Sequence, residues 1–401
     1  MITFRPIELE DKARVQRYTL DSARRNCDLS FVNLYSWRFL YLTQLAEKDG
    51  FLLVRFYVDN ELAYLMPVGQ GDMKAIVEDL MADADRQGAP FRLLGVCADM
   101  CDELEQAFPG RFTFVSDRDY SDYIYLRSDL ATLRGKKFQA KRNHINRFRS
   151  LYPDYEYQPL TPELIPECLR LESQWCKAND CAENEALQNE RRSMNAALKS
   201  MDELDVTGGI LRVGGKIVAF TFGAPVNHET FDTCVEKADT EIEGAYAMIN
   251  YEFANHIPEQ YVYINREEDL GLEGLRKAKL SYQPHTLLEK FIVGLKDEPA
   301  GTACSSHEGK RKETKRMIGQ EEMKAQVRDL WRLCFPADSE EFVDLYFRMR
   351  YTEQINSAVV EDGKVIAALQ RIPYPMTFAG DVLPTAIFPE PVRIRIPGER
   401  E

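Results

Sequence analysis

The sequence predicts an α/β protein built from two related halves, followed by a third, incomplete segment of the same kind. Three observations lead to this prediction. The chain has 401 residues, which is more than one ordinary hydrophobic core accommodates. Strand and helix patterns alternate through residues 1–150, and the same order recurs in residues 151–296. Residues 297–316 carry almost no large apolar side chains and are interpreted as a linker.

The first half opens with a strand pattern at residues 2–9 and a helix pattern that continues to residue 25. Two apolar runs, residues 51–58 and 62–69, predict a hairpin that turns at residues 59–61. An amphipathic helix, a strand, a second helix and two further strands complete this half, at residues 73–88, 91–96, 98–108, 112–117 and 122–128.

The second half repeats this order with a strand, two helices and then a hairpin. Its hairpin turns at Gly214-Gly215, a pair that readily adopts positive φ. A helix of 3.6-residue period follows at residues 244–257, then a strand at residues 261–265. A last strand pattern, residues 288–295, is expected to close the second half.

Residues 317–386 begin a similar order with two helix patterns and a hairpin that turns at Asp362-Gly363. They resemble the N-terminal half of an acetyltransferase of the acyl-CoA N-acyltransferase (GNAT) fold. Residues 387–401 follow neither a helix nor a strand period. Read one nucleotide earlier, the back-translated tail permits an Arg-Gly-Lys-Gly phosphate loop, so we interpret it as an aberrant, frameshifted end.

Composition excludes several classes of protein. No apolar run approaches the roughly 20 residues that span a bilayer, and the acidic N-terminus lacks the apolar core of a signal peptide. We therefore expect a cytoplasmic protein without a transmembrane segment. A net charge of −14 disfavours broad affinity for polyanions. The cysteines and five histidines show no metal-ligand spacing, so no metal site is predicted.

One strongly basic segment, residues 134–149, stands out in this acidic chain. Lysine and arginine side chains bind phosphates, so the segment is a candidate contact for tRNA or another phosphate-bearing ligand. The alternative is a solvated helix between the halves. The candidate binding residues are Lys136, Lys137, Lys141, Arg142, Asn143 and Asn146.

A second charged segment lies within residues 263–282, at the end of the strand at residues 261–265 and after it. Acyl transfer to an amine or hydroxyl needs a base, oxyanion donors and a proton for the leaving group. Glu236 and Asp269 are candidates for the base or for binding an amine, and Tyr282 for protonating the leaving group. Structural ion pairs and a buried structural tyrosine are the alternatives. The candidates for binding a phosphate or carboxylate, which could equally form a charged helix face, are Arg266, Arg276 and Lys277.

The hairpin, strand and helix that lead to Gly244 and Ala245 have the order found in the GNAT fold. In that fold, the N-terminus of this helix holds the diphosphate of acyl-CoA, since free N–H groups and the helix dipole favour an anion. Gly244 and Ala245 are therefore the candidate cofactor-binding residues. The preceding loop, residues 239–243, carries three carboxylates that would repel a diphosphate, which disfavours CoA as the donor.

Lys141-Arg142-Asn143 with Asn146, the strand at residues 231–236 and Asp269-Leu270-Gly271 resemble the phosphatidylglycerol lysyltransferase C-terminal family, over about residues 20–296. The resemblance implies tandem GNAT-like mixed sheets flanked by helices and a relationship to the Fem peptidyltransferases. It also implies charged tRNA as the donor and no covalently bound cofactor, with a membrane surface as a possible peripheral partner.

The sequence thus predicts an acyltransferase that moves an aminoacyl or acyl group, from charged tRNA or acyl-CoA, to an amine or hydroxyl. Two alternatives stay open: a non-catalytic GNAT-fold protein that binds a phosphate-bearing ligand, and a conventional acetyl-CoA N-acetyltransferase. The sequence determines neither the acceptor nor the oligomeric state.

Overall fold

Two units make up the chain, Met1–Pro299 (unit 1) and Ala300–Glu401 (unit 2). The structure, a computed structural model, describes residues 2–178, 184–296, 320–334, 340–349, 356–361, 364–370, 372–378, 381–387 and 392–393. The predicted linker at residues 297–316 lies outside the described residues, as does most of the tail at residues 387–401.

Unit 1 alternates strands and helices, as the sequence predicts. Its strands are β1 (Arg5–Pro6), β2 (Gln44–Lys48), β3 (Phe51–Val58), β4 (Glu61–Leu65), β5 (Val68–Gly69), β6 (Arg92–Cys97), β7 (Phe112–Ser116), β8 (Asp122–Leu126), β9 (Glu156–Pro159), β10 (Thr207–Val213), β11 (Lys216–Pro225), β12 (Thr230–Ala238), β13 (Tyr263–Asn265), β14 (Thr286–Leu288) and β15 (Lys290–Leu295). Its helices are α1 (Lys12–Thr19), α2 (Phe31–Ser36), α3 (Arg38–Tyr41), α4 (Met73–Arg86), α5 (Ala98–Ala107), α6 (Arg127–Thr132), α7 (Gln139–Leu151), α8 (Ile165–Ala178), α9 (Glu185–Lys199), α10 (Ala245–His256) and α11 (Glu273–Leu280). Within the described residues, no helix combines the length and apolar character needed to cross a bilayer.

The strands form two mixed sheets. The first has the order β1-β2-β3-β4-β6-β15-β7, with β5 also paired to β3, and the second has the order β14-β8-β13-β12-β11-β10-β9. Strand β15, from the end of the second half, thus lies in the first sheet, and β8, from the first half, lies in the second. The two halves therefore exchange strands, and the predicted boundary at residue 150 does not separate the sheets.

Each sheet contains one parallel pair joined through a helix, β4 with β6 and β12 with β13. The β12–β13 pairing covers only Thr230–Asp232 against Tyr263–Asn265, although β12 continues to Ala238. The two strands therefore part beyond Asp232. Asp232 and Asn265 lie at this point, and Glu236 lies on β12 beyond it.

The turn chemistry explains both predicted hairpins of unit 1. Asp59 and Asn60 adopt φ of 52° and 65° between β3 and β4, and Gly214 and Gly215 adopt 56° and 78° between β10 and β11. The helix predicted to run to residue 25 instead ends at Thr19. Helices α2 and α3 and strand β2 were not predicted from the sequence.

The largest hydrophobic cluster joins the two halves. It contains Leu52 and Val54 of β3 together with Phe220 and Phe222 of β11, all of them buried. Separate clusters pack α4 and α5 on the first sheet and α7 and α10 on the second. Because the cluster containing β3 and β11 is continuous, the halves form one body.

Unit 2 contains the predicted pair of helices followed by a hairpin. The helices are α12 (Gln320–Cys334) and α13 (Glu340–Met349), and the strands are β16 (Asn356–Glu361), β17 (Lys364–Gln370), β18 (Ile372–Phe378), β19 (Asp381–Ile387) and β20 (Val392–Arg393). Strands β16 and β17 pair antiparallel, and a small cluster of Val327, Trp331 and Phe347 packs beside them.

Candidate functional site

The site lies where three neighbouring strands of the second sheet place polar residues side by side. Asp232 on β12 pairs in register with Asn265, the last residue of β13. Strand β8, which pairs with the other edge of β13, begins at Asp122. Asn265 donates a hydrogen bond from Nδ2 to Asp122 Oδ2 at 2.8 Å. The backbone N–H of Glu267 donates to Asn265 Oδ1 at 2.7 Å, which turns the chain as it leaves the strand.

This turn brings two consecutive glutamates into the interior. Glu267 has φ of 54°, a left-handed conformation that is strained for a residue with a side chain. Its carboxylate Oε1 accepts a hydrogen bond from Asn33 Nδ2 at 3.0 Å, and the same amide donates to Asp232 Oδ2 at 2.9 Å. Asn33, on α2, therefore bridges two carboxyl groups from different strands.

The bridged carboxyl groups are poorly solvated. Asp232 is fully buried, and its Oδ1 has no hydrogen-bond partner. Burial, assisted by the charge of Glu267, raises the pKa of Asp232 well above its ordinary value. Burial and the charge of Glu268 raise the pKa of Glu267 to about 8. A bound cation would stabilise both carboxylates in their charged form.

Lys290, the first residue of β15, brings a positive charge to the same region. Its Nζ lies 2.8 Å from Asp122 Oδ1 and 3.2 Å from Asp28 Oδ2, and it also pairs with Glu268 Oε1. Burial, assisted by the charge of Asp122, raises the pKa of Glu268, and the charge of Lys290 acts in the opposite direction. Strand exchange creates this cluster, since β15 belongs to the first sheet and Glu268 follows a strand of the second.

Part of this cluster lines a cavity of about 500 Å³. The charged and amide side chains of its wall are Asp28, Asn33, Asp59, Arg92, Asp117, Glu267, Glu268 and Lys290. The remainder of the wall is largely aromatic and aliphatic. The aromatic side chains of the wall are Trp37, Tyr41, Phe56, Tyr120 and Phe291. An apolar cavity of this size with a few converging polar groups is typical of a site for a small ligand.

Two groups of side chains in this region also have the spacing of metal ligands. Cys27, Asp122 and Glu268 form one, and Asp232, Cys234 and Glu267 form the other, with one ligand atom of each residue within 4.8 Å of the others. Spacing along the sequence could not reveal them, because their members come from separate elements. In the first group, Lys290 already supplies a positive charge.

Asp269, a predicted catalytic residue, is fully buried but is held by several donors. Its carboxylate accepts hydrogen bonds from Arg276 at 2.8 and 2.9 Å, from Tyr123 at 2.6 Å and from Arg118 at 3.1 Å. The bonds from Arg276 lower the pKa of Asp269 far below its ordinary value. The structure thus brings the predicted residues Asp269 and Arg276 together, in contacts that fix the loop carrying Glu267 and Glu268.

Four further predicted residues meet where β12 and β13 part. Glu236 pairs with Arg266 Nη2 at 3.1 and 3.2 Å, and it accepts a hydrogen bond from Asn250 at 3.2 Å. Lys141 lies 3.7 Å and Arg266 4.9 Å from the ring centre of Tyr282. Burial lowers the pKa of Lys141 to about 8, and the charge of Arg266 acts in the same direction. None of these residues lines the cavity.

Comparison with known proteins supports the sequence-based resemblance. A family model described as phosphatidylglycerol lysyltransferase, C-terminal, matches residues 21–294. The chain belongs to this family. Its two mixed sheets flanked by helices form the tandem GNAT-like fold.

Two relatives of known structure each cover more than 70% of this chain. A conserved protein of unknown function from Bacteroides thetaiotaomicron is 64% identical, with a TM-score of 0.73 over 74% of this chain and 100% of that chain. The C-terminal domain of a protein named a lysylphosphatidylglycerol synthetase, from Agrobacterium fabrum, is 12% identical. It has a TM-score of 0.51 over 71% of this chain and 90% of its own, a likeness of fold alone.

A curated relative is an uncharacterized protein from Mycoplasmoides gallisepticum, 23% identical over 174 residues. The match covers 43% of this chain and 56% of that protein, so this lysyltransferase-family chain spans about half the length of that relative.

The basic segment of this lysyltransferase-family chain forms a short 3-10 turn at Lys136–Phe138 and most of α7. Lys136 and Asn146 are exposed, and Lys137 pairs with Asp129 at 2.9 Å. Arg142 donates to the carbonyl oxygens of Leu133 and Gly135, so it fixes the preceding loop. Asn143 is exposed and accepts a hydrogen bond from Gln139 at 2.9 Å, and Lys277 of α11 is exposed as well.

The double variant Lys136→Gln/Lys137→Gln tests the predicted tRNA contact of this segment. We expect the variant to bind tRNA more weakly, with a salt slope lower by about one to two units, because fewer counterions are released on binding when phosphate contacts are lost. Filter binding at several salt concentrations measures this slope. Lys216→Gln, which changes an exposed lysine on β11, is the matched control. Equal slopes for both variants and the unmodified protein would assign α7 to a solvated surface.

The predicted cofactor-binding turn is covered by α7. Gly244 has φ of 85°, and a Cβ at this position would lie 3.1 Å from both the carbonyl oxygen of His144 and the Cβ of Phe148. Ala245 is 1% exposed, and Glu243 pairs with Arg147 at 3.5 Å. Helix α7 therefore packs against the turn that would hold the diphosphate of acyl-CoA in a GNAT enzyme.

Sequence reasoning missed the polar residues of the cavity wall and the buried carboxyl groups next to them. Asp28, Asn33, Asp122, Asp232, Glu267, Glu268 and Lys290 were not proposed as site residues. The one usable signal was Glu267-Glu268 directly after a buried strand, where unpaired charges are expected to face a cleft.

Proposed function

We propose that unit 1 transfers an aminoacyl group from charged tRNA to an amine or hydroxyl acceptor. The observation that carries this proposal is Glu267, a carboxyl group that lines the cavity and is bridged by Asn33 to the fully buried carboxyl group of Asp232. An aminoacyl ester carries an α-ammonium group close to its reactive carbonyl. Glu267 would bind that ammonium, which would stabilise the charged form of a carboxyl group whose pKa is raised to about 8 by burial and by Glu268.

The cavity suits the remainder of such a donor. Trp37, Tyr41 and Tyr120 offer flat apolar surfaces, and a volume of about 500 Å³ lies within the range of small-ligand sites. Family membership supports group transfer, and the name of the Agrobacterium fabrum relative refers to a lysylated lipid.

In the proposed reaction, the acceptor attacks the ester carbonyl and forms a C–N or C–O bond. The ester C–O bond breaks, and the 3′ oxygen of the tRNA leaves as a hydroxyl group with the proton that the acceptor gives up. Glu268 faces the cavity, and burial raises its pKa, so it is the group placed to take the acceptor's proton. The bound α-ammonium would hold the carbonyl beside it.

The proposal is tested by incubating the full chain with a mixture of tRNAs carrying radiolabelled aminoacyl groups and with lipid and amine acceptors. We expect labelled product after chromatography, and a loss on the order of 10²-fold in Glu267→Gln. A parallel incubation with labelled acetyl-CoA provides the comparison. Product from acetyl-CoA alone, or equal rates in the two proteins, would contradict the proposal.

A further inference from the structure

Lys290 is held as a bound alkylammonium ligand would be held. Its side chain is 5% exposed, and its ammonium group contacts the carboxylates of Asp28, Asp122 and Glu268. An ammonium group has three N–H donors, and three acceptors surround this one. Burial opposes the charged form, yet the charges of Asp122 and Asp28 raise the pKa of Lys290 well above its ordinary value.

The second acidic group beside the cavity lacks such a partner. Among the described residues, no cationic side chain forms a salt bridge with Glu267 or Asp232. Lys279, whose charge lowers the pKa of Glu267, donates its hydrogen bonds to the backbone carbonyl oxygens of Arg266 and Glu268. The region therefore offers one ammonium site filled by the protein's own lysine and one that is open.

We propose that Lys290 permanently fills the site of a second ammonium group, so that the aminoacyl group accepted by unit 1 carries only its α-ammonium and an uncharged side chain. This inference rests on the proposed function. A lysyl group would bring a second ammonium to a wall of the cavity where the carboxylates of Asp28 and Glu268 are already paired with Lys290. The ammonium of Lys290 would repel the lysyl ammonium at this wall, so Lys290 acts as a specificity-determining residue.

The assignment of Lys290 to an ammonium site is tested by truncating the lysine and adding a soluble alkylammonium ion in place of the lost side chain. Lys290→Ala leaves three carboxylates around a space that n-propylammonium matches, since alanine retains the Cβ. We expect Lys290→Ala to unfold at a lower temperature, and n-propylammonium chloride to restore about 3 °C or more relative to sodium chloride. Lys290→Met fills the same space without charge, so it should show no comparable gain. Equal responses of the two variants would overturn the ammonium-site assignment.

The specificity is tested with amino-acid amides, which need no transfer reaction. By calorimetry, we expect the unmodified protein to bind L-alaninamide on the order of 10-fold more tightly than L-lysinamide, and Lys290→Ala to reverse this order. Tighter binding of L-lysinamide by the unmodified protein would overturn the proposal. These measurements record binding and not transfer. A failure of aminoacyl transfer alone would therefore count against the proposed function but not against the role of Lys290 in ligand binding.

Discussion

Asp269→Asn is expected to lower the free energy of unfolding of unit 1 by about 1.5–3 kcal/mol, the usual worth of hydrogen bonds to a charged group. The substitution preserves volume but leaves Arg276 and Arg118 facing an uncharged amide in a fully buried position. Urea unfolding followed by circular dichroism measures the change. Asp119→Asn is the matched control, because Asp119 contacts the same Arg276 from a half-exposed position and should cost less than about 1 kcal/mol.

The same carboxylate gives a pH signature. Its pKa in the folded protein lies below the ordinary value of 3.8, because Arg276 and Tyr123 donate hydrogen bonds to the charged form. Its contribution to stability is therefore present above pH 3.8 and is lost as the pH falls through the lower, folded-state pKa. Asp269→Asn should lack this component of acid unfolding. Equal acid sensitivity and equal stability of the two proteins would show that the ion pairs of Asp269 stabilise nothing, and would return Asp269 to the candidates for catalysis.

Glu267→Gln is expected to change how stability depends on pH. An unfolded glutamate releases its proton near pH 4.5, whereas burial and Glu268 hold the proton on Glu267 to about pH 8. Between these values the folded protein binds more protons, so its free energy of unfolding falls as the pH rises. The glutamine variant has no such proton to lose. At pH 8 it should therefore be more stable than the unmodified protein by at most about 4 kcal/mol.

Glu259→Gln is the control for this profile, since Glu259 is almost fully exposed. It should leave the pH dependence unchanged. The same Glu267→Gln protein should bind L-alaninamide about 10²-fold more weakly, because one charged acceptor of the ammonium is gone. Greater stability of Glu267→Gln with unchanged binding of L-alaninamide would show that burial of Glu267 destabilises the protein without contributing to ligand binding.

Local features of the sequence predicted much of the architecture. Positive φ at Asp59-Asn60 and at Gly214-Gly215 is a property of those residues, so both hairpins were predictable without tertiary information. The 3.6-residue period of residues 244–257 likewise predicted α10. The family was predicted from motifs that lie close together in the chain.

Other elements depend on distant contacts. Residues 26–48 contain α2, α3 and β2, which are short and have no clear period; α2 and β2 are stabilised by packing into clusters from both halves. The charged segment 266–269 also looks uniform in sequence, yet its members face different surroundings. Arg266 pairs with Glu236, Glu267 and Glu268 face the cavity, and Asp269 is locked by Arg276. The positive φ of Glu267 helps to decide this division.

The sequence by itself determined the repeated α/β order, the turns and the family, because these depend on short-range periodicity and on local backbone preference. Only the tertiary structure decided which charges meet. Asp122, Asp232 and Lys290 lie on strands from different parts of the chain. Strand exchange between the two sheets brings Lys290 into contact with Asp122 and places it in the wall of the same cavity as Glu267. A strand's pattern records which face is buried but not which strand will lie beside it. The buried carboxylates and their lysine were therefore visible only once the sheets were assembled.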